Sequence, residues 1–139
     1  MDTSARIPSP SVRQLRLVVT AEDYEAALAF YRDTLGMPEQ ESYSGSDGAL
    51  VTILDAGRAT LELSNPAQVR MIDRIEADGK PGLTLRVALE VDDARKATAA
   101  AVDGGAQVVA EARETPWRSL NSRLNAPAGL QLTLFEELD

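Results

Sequence analysis

The chain has 139 residues, 44% hydrophobic and 26% charged, with a formal net charge of −8. That length and balance suit one soluble domain with a sizeable core, and the acidic excess argues against nucleic acid, whose binding rests on phosphate neutralisation by Lys and Arg. Cysteine and histidine are both absent, which removes disulfides, thiolate chemistry, imidazole metal ligands and any histidine base.

Residues 1–11 are polar and contain two prolines, which reads as a flexible leader. No apolar run approaches the roughly 20 residues that cross a bilayer, and no signal-peptide pattern opens the chain. A cytoplasmic protein without a membrane partner is therefore expected. Leu15, Leu17 and Val19 alternate with Gln14, Arg16, Val18 and Thr20, the two-residue period of a strand covered on one face. Thr20 is the expected helix cap, with Asp23 three residues on as its capping-box partner. Tyr24, Ala27, Leu28, Tyr31 and Leu35 then fall at helical spacing, and Gly36 with Pro38 stops the helix. Phe30 and Tyr31 are expected to pack that helix. Segments 39–44, 49–54 and 59–64 read as three strands joined by the turns Gly45-Ser-Asp-Gly48 and Asp55-Ala-Gly57.

Residues 67–81 read as a linker carrying a short helix from Gln68 to Asp78 and ending at Gly79-Lys-Pro81. The plan then repeats. Strand 83–91 precedes an alanine-rich helix, 93–103, closed by Gly104-Gly105. Strands 107–113, 119–125 and 130–136 follow, the last two joined through Ala126-Pro-Ala-Gly129.

The two halves align without a gap at an offset of 70 residues. Arg16 pairs with Arg86, Asp23 with Asp93, Ala27 with Ala97, Ala29 with Ala99 and Asp33 with Asp103. The apolar positions Leu17/Val87 and Val19/Leu89 match as well. That period is too long for a solenoid repeat and fits a duplicated supersecondary module. The expected fold is α+β, with two tandem βαβββ modules, residues 12–66 and 82–139, forming curved mixed sheets around a cleft.

Several segments carry a resemblance. Ala21-Glu-Asp-Tyr-Glu-Ala-Ala-Leu-Ala-Phe-Tyr-Arg-Asp-Thr-Leu-Gly36 is similar to the first-helix signature of the vicinal oxygen chelate superfamily, which includes the glyoxalase I, bleomycin-resistance and extradiol dioxygenase families. Leu61-Glu-Leu-Ser-Asn65 resembles the end of its first module. Thr115-Pro-Trp117 followed by Ala126-Pro-Ala-Gly129 resembles its closing hairpin, where the family usually writes Asp-Pro-x-Gly. The resemblance spans residues 13–136.

Metal-dependent members take four ligands from the first and last strand of each module. The resemblance puts those positions on Arg16, Glu62, Arg86 and Thr133, where the family places His or Glu. Guanidinium stays protonated and offers donors only, so it cannot ligate a cation. One carboxylate and one hydroxyl fall short of a zinc site. No metal and no cofactor are expected, and glyoxalase, fosfomycin-transferase or dioxygenase chemistry does not transfer.

Alternation along the strands puts Gln14, Arg16, Val18, Thr20, Thr60, Glu62 and Ser64 on the concave face. Thr84, Arg86, Ala88, Glu90, Gln131, Thr133 and Phe135 join them there, while Leu61, Leu63, Val87, Leu132 and Leu134 face the helices. Glu62 is expected between Arg16 and Arg86. One reading is an internal Arg-Glu-Arg bridge replacing the lost metal. In the other, a guanidinium stays free to grip a carboxylate, phosphate or enolate oxygen. Trp117 and Tyr43 are the expected aromatic contacts for a ligand at the rim.

Two functions follow, with a dimeric interaction module carrying a vestigial cleft as a third. The first is a metal-free small-molecule binding protein of the bleomycin-resistance type, with Arg16, Glu62, Arg86, Trp117, Thr133 and Tyr43 as its ligand contacts. The second is an enzyme with Glu62 as base and Arg16 and Arg86 as oxyanion stabilisers. There an adjacent arginine is expected to lower the Glu62 pKa and weaken the base. The acidic surface suits a cationic ligand and the cleft arginines an anionic one, so ligand charge stays open. The resemblance implies a homodimer.

Overall fold

The computed structural model describes residues 11–139, so the expected leader lies, apart from Ser11, outside the described residues. Eight strands form one continuous mixed sheet: β1 (Gln14–Thr20), β2 (Glu39–Ser44), β3 (Leu50–Ala56), β4 (Ala59–Ser64), β5 (Leu85–Glu90), β6 (Gln107–Glu114), β7 (Ser119–Asn125) and β8 (Gln131–Glu137). Their order is β2-β3-β4-β1-β5-β8-β7-β6. Each half is the same four-strand arrangement, with the first strand parallel to the last (β1 with β4, β5 with β8). The halves join where β1 and β5 run antiparallel, with Leu17 opposite Val87.

The expected alternation holds. Leu61 and Leu63 of β4 pack with Tyr24, Leu28 and Leu54 under the first helix, and Leu17 and Val19 flank them. In the second half Leu124 and Leu134 pack with Val91, Ala94 and Ala97 under the other repeat helix. Burying such side chains is worth roughly 1.5–3 kcal/mol each, so these two clusters hold the helices on the convex side. The opposite face holds polar and charged residues around a small apolar floor of Val18, Ala88 and Phe135.

The repeat helices start alike. Asp23 caps α1 (Tyr24–Leu28) by accepting from Ala26 N, and Asp93 caps α3 (Ala94–Asp103) by accepting from Lys96 N. The expected cap at Thr20 is therefore corrected: Thr20 is still a strand residue, and Asp23 is the cap itself rather than a partner. After Leu28 the helix widens into a π-helical stretch, Ala29–Thr34. Phe30 is also corrected as a packing residue, for it stands about half exposed, in a T-shaped pair with Tyr31 whose ring centroids are 5.0 Å apart.

The linker between the halves is far more than a connection. It forms α2 (Pro66–Ala77), a 12-residue helix that starts two residues earlier than the sequence suggests. Asn65 caps it, accepting from Gln68 N and Leu50 N and donating to Gly48 O, while Pro66 fills the first helical position. Asp78, left-handed at φ 53°, and Gly79 at φ 84° end it, and Gly79 N donates back to Asp73 O. Along its length α2 touches β3 and β4 of the first half and β6 and β7 of the second. It thereby forms a wall over the concave side.

Candidate functional site

A cavity of about 540 Å³ opens on the concave face. Arg16, Glu62, Arg86 and Thr133, the four positions aligned with the superfamily's ligand seats, all line it, and so do Tyr43 and Trp117. The strands bring them together through register. Arg16 lies beside Thr60 across the parallel β1–β4 pair, Val18 lies beside Glu62, and Arg86 faces Val18 across the antiparallel seam.

Arg16 is held by the first half. Its Nε donates to Thr60 Oγ1 at 3.0 Å, its Nη2 to Gln14 Oε1 at 2.9 Å, and its Nη1 approaches Glu62 Oε1 at 3.7 Å. The guanidinium also lies 5.7 Å from the centre of the Phe135 ring, a cation–π distance. Glu62 gains little else, only a long contact from Ser64 Oγ at 3.5 Å. Burial pushes its carboxyl above the ordinary value, and the attraction of Arg16 and Arg86 does not cancel that push. The expected lowering of this pKa is therefore reversed, because one arginine at ion-pair distance and a second farther off do not replace the water that burial removes.

Arg86 is held quite differently. Its Nη1 donates to Thr133 Oγ1 at 2.7 Å and lies 3.6 Å from Glu76 Oε1. The Thr133 hydroxyl in turn donates to the same Glu76 oxygen at 2.7 Å. The expected Arg16–Glu62–Arg86 bridge is thus not formed as such: Glu62 pairs with Arg16, and a helix residue that the sequence reading left in the linker takes Arg86.

Glu76 is the centre of a buried network. Arg123 Nε donates to its Oε1 at 2.9 Å, Asn121 Nδ2 to its Oε2 at 2.9 Å, and Arg123 Nη1 to Asp73 Oδ1 at 2.8 Å. Arg123 is fully buried and Glu76 nearly so. The Arg123 Nη2 atom sits 2.9 Å from Glu76 Oε1 as an ion contact but has no hydrogen-bond partner. Burial alone would raise the Glu76 carboxyl, yet Arg86, Arg123, Asn121 and Thr133 together hold it below its ordinary value.

Asp73, Glu76, Asn121 and Arg123 are among the interior charged and polar groups not expected from the sequence. The signal for the last two was present. In β7, Leu120 and Leu124 pack toward α3 and Ser122 Oγ meets Thr98 there, so parity sends Asn121 and Arg123 to the concave side. The mouth is lined by the exposed rings of Tyr43 on β2 and Trp117 in the β6–β7 turn. The Tyr43 hydroxyl donates to Glu41 Oε2 at 2.6 Å, and that bond raises the phenol's pKa.

The donor set does not fit a metal. Two of the four aligned seats carry guanidinium, and among the described residues no three His, Cys, Asp or Glu side chains converge. Among the described residues, no helix is long and apolar enough to cross a membrane.

Known proteins share this architecture. A protein from Bacillus halodurans C-125 of hypothetical status is 17% identical, with a TM-score of 0.65 over 95% of this chain and 97% of that one. Methylmalonyl-CoA epimerase from Mycobacterium tuberculosis is 21% identical, with a TM-score of 0.62 over 92% of this chain and 88% of the epimerase. A glyoxalase/bleomycin resistance protein/dioxygenase superfamily member from Vibrio splendidus 12B01 is 13% identical, with a TM-score of 0.62 over 91% and 100%. At these identities the likeness is one of fold alone. No protein of curated function matches the chain. The profile of the Glyoxalase/Bleomycin resistance protein/Dioxygenase superfamily matches residues 13–134, nearly the whole length, and the chain belongs to that superfamily.

Proposed function

We propose that this chain is a metal-independent binding protein that captures a small molecule, an antibiotic or other metabolite, in the cavity between its curved sheet and α2. One observation carries the reading: the seats aligned with metal ligands hold arginines already tied to Thr60, Gln14 and Thr133, around a space of about 540 Å³. Pockets of that volume suit ligands of drug-like size. Arg16, Glu62, Arg86 and Thr133 supply the polar contacts, and Tyr43 and Trp117 offer ring faces at the entrance. The protein acts as a cytoplasmic homodimer in this reading. Thermal-shift screening of metabolites, followed by mass spectrometry of the recovered compound, tests it. Stabilisation with the compound returned unchanged is expected, and a full equivalent of bound zinc, nickel or iron in the purified protein would overturn it.

A second reading is favoured by the raised Glu62 pKa, since a carboxylate nearer neutrality is a stronger base. Here the chain is a lyase or isomerase in which Glu62 takes a proton while Arg16 and Arg86 stabilise the oxyanion that forms. The similarity of fold to methylmalonyl-CoA epimerase keeps this chemistry in view. Glu62→Gln separates the two: binding survives in both, while turnover disappears only if Glu62 is the base.

A further inference from the structure

The charges around the cavity are layered, and the layering bears on the ligand's chemistry. This step rests on the cavity proposed above as the binding site. Inside, Arg86 commits only Nη1 to protein, at Thr133 and Glu76. Among the described residues its Nε and Nη2 meet no acceptor, and neither is sealed off from access, although the side chain is only 11% exposed. Arg16, by contrast, has Nε and Nη2 hydrogen-bonded and Nη1 turned to Glu62. One buried cation therefore keeps two donors in hand, in the fork that fits an oxyanion.

The mouth has the opposite sign. Glu41 on β2 and Glu137 on β8 line it from the two halves of the sheet, both exposed. Neither meets an arginine or lysine among the described residues. Arg118, the cation at the same entrance, is engaged by Glu114 at 3.1 Å. The chain's net charge of −8 adds a long-range field of the same sign as the mouth. A purely anionic ligand must pass carboxylates and gains nothing from them. A purely cationic one is welcomed at the entrance but leaves the open Arg86 donors unmet inside, where Glu62 and Glu76 already face Arg16 and Arg86. The geometry points to a zwitterion: a small molecule whose oxyanion docks on Arg86 within the cavity and whose ammonium group stays at the mouth beside Glu41 and Glu137.

Matched probes test this without knowledge of the natural ligand. Trp117 is the only tryptophan and lies at the entrance, so its fluorescence reports occupancy. The intact chain is titrated at low salt with ω-amino acids of four to eight carbons, then with hexanoate and with hexylammonium. The best amino acid is expected to bind about tenfold tighter than hexylammonium, because a charge-assisted bond to a buried arginine is lost. It should bind about threefold tighter than hexanoate, since an exposed ion pair is worth less.

Glu137→Gln and Glu41→Gln should each shrink the second margin while leaving hexanoate unweakened, and Arg86→Gln should shrink the first. The wild-type series decides the matter even if Arg86→Gln fails to fold. Hexanoate or hexylammonium binding as tightly as the best amino acid would overturn the zwitterion assignment, and so would the lack of any saturable response. The cavity reading is judged separately, by the screen with recovered compound, so the two failures are distinguishable.

Discussion

The two halves of the cavity start from the same repeated arginine and treat it in opposite ways. In the first half Arg16 meets its counter-charge within the sheet, where Glu62 stands 3.7 Å away with little else to hold it. In the second, Arg86 shares Glu76 with Arg123, Thr133 and Asn121, and that carboxylate arrives from α2, outside the duplicated module. Duplication has thus kept the backbone and the cation but not the partner. The result is one carboxylate saturated with donors, in the second half, and one in the first half with a distant arginine and a single long hydrogen bond. A change of protonation at this site is expected at the carboxyl of the first half, and the larger share of stability at the carboxylate of the second.

The sharpest way to break that contrast is Glu76→Ala. It leaves Arg86 and the buried Arg123 without their shared carboxylate, and a loss of about 3–5 kcal/mol is expected in urea denaturation. The corresponding cut in the first half, Arg16→Met, should cost about 1–2 kcal/mol by the same measurement, because Gln14 and Glu62 keep partial access to water. Equal losses from the two variants would erase the distinction between the halves.

A finer test uses pH. Glu62 holds its proton more tightly in the folded chain than in the unfolded one, so its ionisation costs stability as pH rises from the ordinary value of 4.5 through the raised one. Glu62→Gln should therefore be more stable than the wild type at neutral pH by up to about 1 kcal/mol, with the advantage vanishing below that ordinary value. Glu76 has the opposite sign: its contribution is present above 4.5 and lost as pH falls through its lowered value. Glu76→Gln should accordingly lose most at neutral pH and least in acid, in urea midpoints taken from pH 3 to 8. Parallel pH profiles for the two variants would contradict the assignment.

A comparably small effect is expected at Gly82. An added Cβ would sit 3.0 Å from Gln131 Oε1 and 3.1 Å from Arg123 Nη1. Gly82→Ala should cost about 1 kcal/mol through displacement of the Arg123 fork, read as a small shift in the urea midpoint.

Much of the fold was legible because alternation and turn residues are local signals. Strands 39–44, 59–64 and 119–125 fall where the residues put them, and the concave face follows from parity. The partner of Arg86 was not legible in that way. Glu76 lies in sequence on a short amphipathic segment, and only the path of α2 over the sheet brings it against Thr133 and Arg123. Nor does any strand pattern encode how burial and attraction balance at Glu62. That balance depends on how much water the helix wall excludes, which is a property of the packed chain. The widening of the first helix after Leu28 likewise was not legible, because Tyr24, Ala27, Leu28, Tyr31 and Leu35 follow ordinary α-helical spacing.

The sheet does not close, so β2 and β6 are left as its borders. Every side chain of β2 is exposed, and Glu39 and Glu41 stand at a register shift in its ladder with β3. Glu111, Arg113 and Glu114 occupy β6, whose ladder with β7 shifts twice. Irregular, charged borders resist the addition of a further strand from another molecule. Removing those carboxylates would therefore leave folding energy little changed while opening the chain to fibrillar association.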